Sequence, residues 1–421
     1  MNSYRFGSID IQRAVLPNGL TVLLAEDPRA EIFAYHTWMR VGSKHEDPNK
    51  TGLAHLLEHL MFKATERRPL GAFDHEIEKR GAETNAATWV DWTYYHQTLA
   101  HREDNLQTVI ELEADRLTGL VLDEETFASE LSVVQNERRM TVDDSVLASL
   151  GEAVYGTAFT AHGYRWPTIG YAAHLETMTV DDVRSFYRTH YAPDRAVIVV
   201  AGAINSADTL ARLEDAYGAL SPSGYEHPKS LEEPRQNTER RVEVSRRSQA
   251  QYLTLAYKVP GQLHRDATAI EALTELLFVG DNANIYQALV TDGQLASDVE
   301  GYVTPFAEPG LCEISVTLRP GVTPEAVIDR VDRELATLPG TLDTALLEKA
   351  KNGLELAFYD SLRDADGLAE ALGHYEVAHG DFSRAFIGPE RAQSVSVESI
   401  REVCERYFVP SNRTVGTLNP L

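Results

Sequence analysis

His55 and His59 stand four residues apart in Leu53-Ala-His-Leu-Leu-Glu-His-Leu-Met-Phe62, with Glu58 between them. On a helix, a spacing of four stacks two side chains on one face, and Glu58 lies beside that face. These residue types suit a divalent metal. Two neutral imidazoles fill two tetrahedral positions on Zn2+, and a carboxylate next to the open position can take a proton from an activated water, so the chemistry would be metal-assisted hydrolysis. Two histidines and a glutamate can also decorate a wet helix face with no metal. The flanks argue against that here: Leu53, Leu56, Leu57, Leu60, Met61 and Phe62 make the helix strongly apolar, so it should be largely buried, and buried histidines need partners.

A third ligand must come from another element. Residues 123–140 read as a helix, with Asp123 able to cap its start and Phe127, Leu131 and Val134 marking an apolar face. Glu130 and Glu137 are seven apart and share a face, so one could bind the metal while the other supports it from behind. Spacing alone leaves Glu83, Glu111, Glu113 and Asp115 as rivals, and an acidic helix is often simply solvated.

The elements that must position these groups follow from a long internal repeat. Met178-Thr-Val-Asp-Asp-Val-Arg-Ser-Phe-Tyr-Arg-Thr-His-Tyr-Ala-Pro193 matches Val395-Ser-Val-Glu-Ser-Ile-Arg-Glu-Val-Cys-Glu-Arg-Tyr-Phe-Val-Pro410 in hydrophobic pattern at a shift of 217. Each copy predicts a capped helix that stops before a proline, followed by a strand such as Ala196 to Val200. The helix with His55 and His59 lies opposite Ala269-Ile-Glu-Ala-Leu-Thr-Glu-Leu-Leu-Phe278 at a shift of 216, where Glu271, Thr274 and Glu275 occupy the aligned positions and cannot rebuild the site. Alternating segments at Leu20 to Ala25, Phe33 to Val41 and Gln251 to Val259 predict strands before both helices. The pattern predicts an α+β fold of two homologous halves, each a mainly antiparallel sheet packed against helices. Residues 1–225 form the metal-bearing half, 226–240 a polar linker within the Ser221 to Arg241 stretch, and 241–421 a half without metal ligands.

Composition sets outer bounds. At 421 residues with 43% hydrophobic and 24% charged residues, the chain is folded rather than disordered. A formal net charge of −25 repels phosphate backbones, which excludes nucleic acid as a natural partner, and favours cationic ones. No apolar run reaches the roughly 18 to 20 residues needed to span a bilayer. Only Cys312 and Cys404 are present, so a reducing compartment such as the cytoplasm is the simpler expectation, with the periplasm as the alternative had a leader been removed. Both cysteines are expected to be small buried apolar groups.

Ordered motifs carry a resemblance: His55-Leu-Leu-Glu58-His59, Gly81-Ala-Glu-Thr-Asn85-Ala86-Ala-Thr88 with Thr93-Tyr-Tyr95, Glu130 through Val133-Val-Gln-Asn-Glu137, Pro167-Thr-Ile-Gly170, and Tyr191-Ala-Pro193. The H-x-x-E-H order is the inverse of the familiar zinc-protease signature. The chain resembles the pitrilysin or insulinase (M16) zinc peptidases, in particular the half-length members similar to mitochondrial processing peptidase and its bacterial relatives. The resemblance implies an M16 fold and one Zn2+ per chain, held by His55, His59 and Glu137. It also implies Glu58 as general base, Glu130 in a supporting catalytic role, and an edge strand after Gly81 that takes up the substrate as an added strand, with Asn85 and Ala86 bonding the peptide. Along that strand, Thr88, Val90, Trp92 and Tyr94 are expected to alternate with Trp89, Asp91, Thr93 and Tyr95. Substrates would be short or unfolded peptides, extended and, given the acidic chain, basic.

The resemblance bears on assembly too. Related bacterial peptidases carry in their second half an arginine and a tyrosine in a pattern like L-R-E-K-x-G-L-A-Y after a glycine-rich turn. Here Leu289-Val-Thr-Asp-Gly-Gln-Leu-Ala-Ser297 places Val290 and Ser297 at those positions, and the turn Gly280-Asp-Asn-Ala-Asn284 has few glycines. The expectation is a heterodimer in which this chain brings zinc and a homologous partner brings Arg and Tyr, with a self-sufficient or homodimeric enzyme as the alternative. Three other readings stay open: a non-catalytic subunit of the same fold, a metallohydrolase acting on something other than peptides, and a peptide-binding module.

Overall fold

The computed structural model describes residues 2–280 and 283–421; Asp281 and Asn282, in the expected glycine-poor turn, lie outside the described residues. Among the described residues, twelve strands form two sheets: β1 (Asn2–Phe6), β2 (Ile9–Val15), β3 (Thr21–Glu26), β4 (Ile32–Met39), β5 (Glu83–Thr88), β6 (Thr93–Ala100) and β7 (Ala196–Gly202), then β8 (Arg240–Arg246), β9 (Tyr252–Val259), β10 (Ala296–Val303), β11 (Gly310–Leu318) and β12 (Arg413–Pro420). The helices used below are α1 (Leu53–Leu60), α2 (Glu103–Gly119), α3 (Glu124–Arg138), α4 (Val180–His190), α5 (Ala267–Phe278), α6 (Ala365–His379) and α7 (Val397–Tyr407).

The compact units interleave the sequence segments expected as domains. One unit collects Met1–Asn136, Trp166–Ser230 and Tyr359–Phe386; the other collects Glu137–Arg165, Leu231–Phe358 and Ile387–Leu421. The first unit is built on a sheet ordered β1-β2-β3-β7-β4-β6-β5. All its pairings are antiparallel except β3 with β7. Strand β7 reads Ala-Val-Ile-Val-Val-Ala-Gly and is buried throughout, as a strand covered on both faces requires. One of those faces is covered by α6, whose Leu368, Ala369 and Leu372 pack on Ile11, Leu23, Trp38 and Val199. Gly373 makes this approach possible, because a Cβ there would sit 2.1 Å from Trp38 Nε1.

The second unit holds a sheet ordered β10-β11-β9-β12-β8, with Leu253, Leu255, Ile314 and Val316 packed against Ile270, Leu273 and Leu277 of α5 and Ile400 and Val403 of α7. The repeat reappears as topology. Thr179 and Ser396 cap α4 and α7 in capping boxes closed by Asp182 and Ser399. Each helix leads through Pro193 or Pro410 into a strand that is parallel to one neighbour and antiparallel to the other: β7 between β3 and β4, β12 between β8 and β9.

The expected alternation from Thr88 to Tyr95 is corrected. The chain turns between β5 and β6, with Thr88 opposite Thr93 and the Trp89 N–H donating to the Trp92 carbonyl. Directly opposed residues share a face, so Thr88 lies with Thr93 and Tyr95 and not with Trp92 and Tyr94. The turn inverts the parity that a single strand would keep. Trp92 and Tyr94 instead pack on Trp38, with ring centroids 5.1 and 4.3 Å away.

Cys312 and Cys404 are buried free thiols, each pushed up to about 12 by burial. Among the described residues no helix is long and apolar enough to cross a membrane.

Three histidines stack inside the first unit, His227 lying 4.0 Å from His45 and 5.1 Å from His190 between ring centroids. Burial pushes His190 down to about 3 and His227 to about 4, from 6.5, so the fold favours their neutral forms. The stability these two histidines contribute is therefore fully present above about pH 6.5 and is lost as the pH drops towards 4. A melting-temperature series over that window should decline, and replacing His190 and His227 with Gln should flatten the decline.

Candidate metal centre

Helix α1 begins at Gly52, whose φ of 99° suits only glycine and which brings no side-chain cap. The cap comes from outside: buried Glu46 accepts the Gly52 N–H at 2.8 Å and the Ala54 N–H at 2.7 Å. Burial pushes the Glu46 carboxyl up to about 8, while N–H groups of Ala54, Gly52 and Leu53 pull it back. Sequence reasoning missed Glu46. Its signal was an acid just ahead of a helix whose first turn has no acid and whose N-cap is glycine. Glu46→Ala should cost about 1–3 kcal/mol for each buried N–H left unsatisfied, read as a lower melting temperature.

Leu53, Ala54, Leu56, Leu57 and Leu60 are buried, as expected, leaving His55, Glu58 and His59 half-buried on the other face. The two imidazole rings lie 4.8 Å apart at 65°. Burial, and then the neighbouring His59, pushes His55 down to about 4, so it is neutral at pH 7, the form that binds a metal. Asp123 caps α3 by accepting the Thr126 N–H at 2.8 Å. Phe127, Glu130, Val134 and Arg138 of that helix are buried and Glu137 is half-buried, so its acidic pair is not a fully solvated face. Glu137 is in the last turn of α3, one residue beyond the first unit's Asn136. His55, His59 and Glu137 each present a ligand atom within 4.8 Å of the others.

Glu130 is held by Lys63 at 2.8 Å, and its Oε2 lies 3.8 Å from His59 Nδ1. That is longer than a hydrogen bond, yet it is the side from which a carboxylate orients a ligand imidazole. The rival carboxylates have other tasks. Glu113 pairs with buried Arg116 at 2.7 Å and accepts the Thr37 hydroxyl at 2.7 Å. Asp115 holds Arg68 and the Thr65 hydroxyl, Glu111 accepts from Gln107, and Glu83 is exposed on β5.

The donor set is thus two imidazoles, one of them neutral by burial, and a carboxylate, which fits the His2Glu set of a catalytic zinc site. Beside it the Thr88 hydroxyl donates to Glu58 Oε2 at 2.5 Å. Thr88 ends β5, the outermost strand of its sheet, and Asn85 and Ala86 lie on that strand, with Asn85 exposed and its Oδ1 accepting the Ala86 N–H at 2.9 Å. In the second unit, α5 contributes to no metal-binding group found among the described residues.

Two family models match the chain. The family model described as "Insulinase (Peptidase family M16)" matches residues 21–170, and that described as "Peptidase M16 inactive domain" matches residues 177–354. The chain is 28% identical to a zinc protease, PqqE, of Helicobacter pylori, over 97% of this chain and 93% of that protein. It is 24% identical to mitochondrial-processing peptidase subunit beta of Blastocladiella emersonii, over 96% of this chain and 88% of the relative. A solved structure of a protease from Helicobacter pylori superposes with a TM-score of 0.92 at 27% identity, covering 97% of this chain and 99% of that one.

Proposed function

Because the chain belongs to the insulinase (M16) peptidase family, we propose that it is a zinc-dependent endopeptidase acting on short or unfolded peptides. The observation that carries this reading is the convergence of His55, His59 and Glu137 within 4.8 Å, with Glu58 on the same helix as the histidines. These three residues would hold one Zn2+, and the ion supplies Lewis acidity at the scissile carbonyl and acidifies a water. Glu58 takes a proton on its carboxylate and returns it to the leaving amine, with Thr88 fixing one carboxylate oxygen. Glu130 positions the His59 ring, and Lys63 keeps Glu130 in place. No covalent intermediate is needed.

The open edge of β5 accepts the substrate as an added strand, with Asn85 and Ala86 bonding its backbone, and Thr88 at the end of that strand touches the base. The acidic chain favours basic peptides. The relative named as a "subunit beta" supports an assembly with a second subunit. In that heterodimer this chain brings the zinc, and a partner lacking H-x-x-E-H supplies the arginine and tyrosine replaced here by Val290 and Ser297.

The test is digestion of one unfolded basic peptide by the chain alone and with its homologous partner. Cleavage should appear or rise sharply with the partner, stop on chelation and return with Zn2+. Activity that survives complete chelation would overturn the zinc mechanism, and full activity from the isolated chain with no gain from the partner would overturn the heterodimer.

A further inference from the structure

A second polar cluster lies within the first unit. His36 of β4 and His96 of β6 are cross-strand partners, so their side chains leave the same face of the sheet side by side. Asp366, in the first turn of α6, meets them there: its Oδ1 is 2.9 Å from His36 Nε2 and 3.1 Å from His96 Nδ1. The Thr98 hydroxyl is 3.2 Å from the same oxygen. Three groups thus crowd one carboxylate oxygen, more than its two lone pairs accept in good geometry. His36 is 1% exposed and its Nδ1 has no hydrogen-bond partner, so nothing outside the cluster fixes the ring's tautomer.

We propose that His36, His96 and Asp366 form a second divalent-metal site, suited to Zn2+, that fastens α6 to the sheet. The donor set of two imidazoles and a carboxylate is one that zinc accepts, and the three ligand atoms lie within 4.8 Å of one another. In a tetrahedral site with bonds of about 2.0–2.1 Å, neighbouring donors stand roughly 3.3 Å apart. The two separations from Asp366 are already close to that, so small side-chain rotations admit an ion. A fourth donor is available on the same helix: Glu370 follows Asp366 by one helical turn, within electrostatic reach of both Asp366 and His96. Partial exposure of the Asp366 side chain gives an ion a way in from solvent, while Tyr94 stacks on His36 at 5.6 Å.

The site has a structural purpose. His96 and Asp366 are 270 residues apart, and α6 belongs to the segment Tyr359–Phe386 that returns from the far end of the sequence to cover this sheet. An ion bridging them closes a very long loop at the place where the unit depends on that return.

The experiment isolates this site in a chain carrying His55→Ala and His59→Ala, which remove the first. Zn2+ alone is added, excess is removed, and zinc per chain and melting temperature are measured. The double variant should keep one zinc per chain and melt at a higher temperature with Zn2+ than after chelation. Adding Asp366→Asn, or separately His96→Gln, should abolish both the bound zinc and the shift. A double variant that is folded by circular dichroism yet holds no zinc would overturn the proposal. So would undiminished zinc in both added variants. Should Asp366→Asn fail to fold, His96→Gln decides, since it leaves the first turn of α6 untouched.

Discussion

Glu58→Gln should preserve the fold and the bound zinc while lowering peptide hydrolysis by about 10^2 to 10^4-fold or more. The substitution leaves both imidazoles of α1 in place and keeps a partner for the Thr88 hydroxyl, because the amide oxygen can still accept its hydrogen bond. What it removes is the ability to take a proton. The loss should therefore fall on kcat, with KM for an extended peptide little changed, since Asn85, Ala86 and the edge of β5 are untouched. A non-catalytic subunit of the same fold makes the opposite prediction: no hydrolysis to lose in the wild type. A binding module would retain peptide and cut nothing in either form. Hydrolysis by the variant within a few-fold of wild type would remove Glu58 from the mechanism.

Glu137→Gln should cost the chain one zinc ion while Glu113→Gln leaves the zinc content unchanged. Glu137 offers a charged oxygen within 4.8 Å of both histidine ligand atoms, and a neutral amide is a poor replacement for it. Glu113 is also a carboxylate but is committed to Arg116, whose guanidinium also lies over the Tyr95 ring at 4.4 Å. Its loss should lower stability instead, by about 3–5 kcal/mol, because a buried cation would be left without its counter-charge. The two variants thus separate a ligand from a structural ion pair, by metal analysis and by thermal unfolding. Zinc lost from Glu113→Gln and kept in Glu137→Gln would reverse the assignment.

The parts of this fold legible in sequence are those written as local periodicity. The strands around Leu23, Tyr35 and Leu255, the two capped helices before Pro193 and Pro410, and the apolar face of α1 all follow from patterns within a dozen residues. His55, Glu58 and His59 were visible for the same reason, being one helical turn of a single element. Glu137 was harder. Its spacing from Glu130 put both on one face, but four other carboxylates stayed open until the structure gave Glu113, Asp115 and Glu111 other partners. The turn at Val90 and Asp91 was misread because hydrophobic alternation runs straight through it, and parity alone does not mark a reversal. Glu46 and Asp366 escaped altogether. Each acts on a helix end or a sheet face through contacts that depend on tertiary register, as when the pairing of β4 with β6 sets His36 beside His96 and α6 brings Asp366 to both. The interleaving of the two units, with Tyr359–Phe386 returning to the first sheet, is likewise invisible to a reading that seeks one cut in the chain.

The most direct measurement is X-ray diffraction from crystals of the zinc-loaded chain at the zinc absorption edge. The account predicts an anomalous peak at bonding distance from His55, His59 and Glu137, with the Glu58 carboxylate beside the remaining coordination position. A zinc-loaded crystal with no peak there, or with a peak that leaves Glu137 uncoordinated and draws its third protein ligand from another carboxylate, would contradict it.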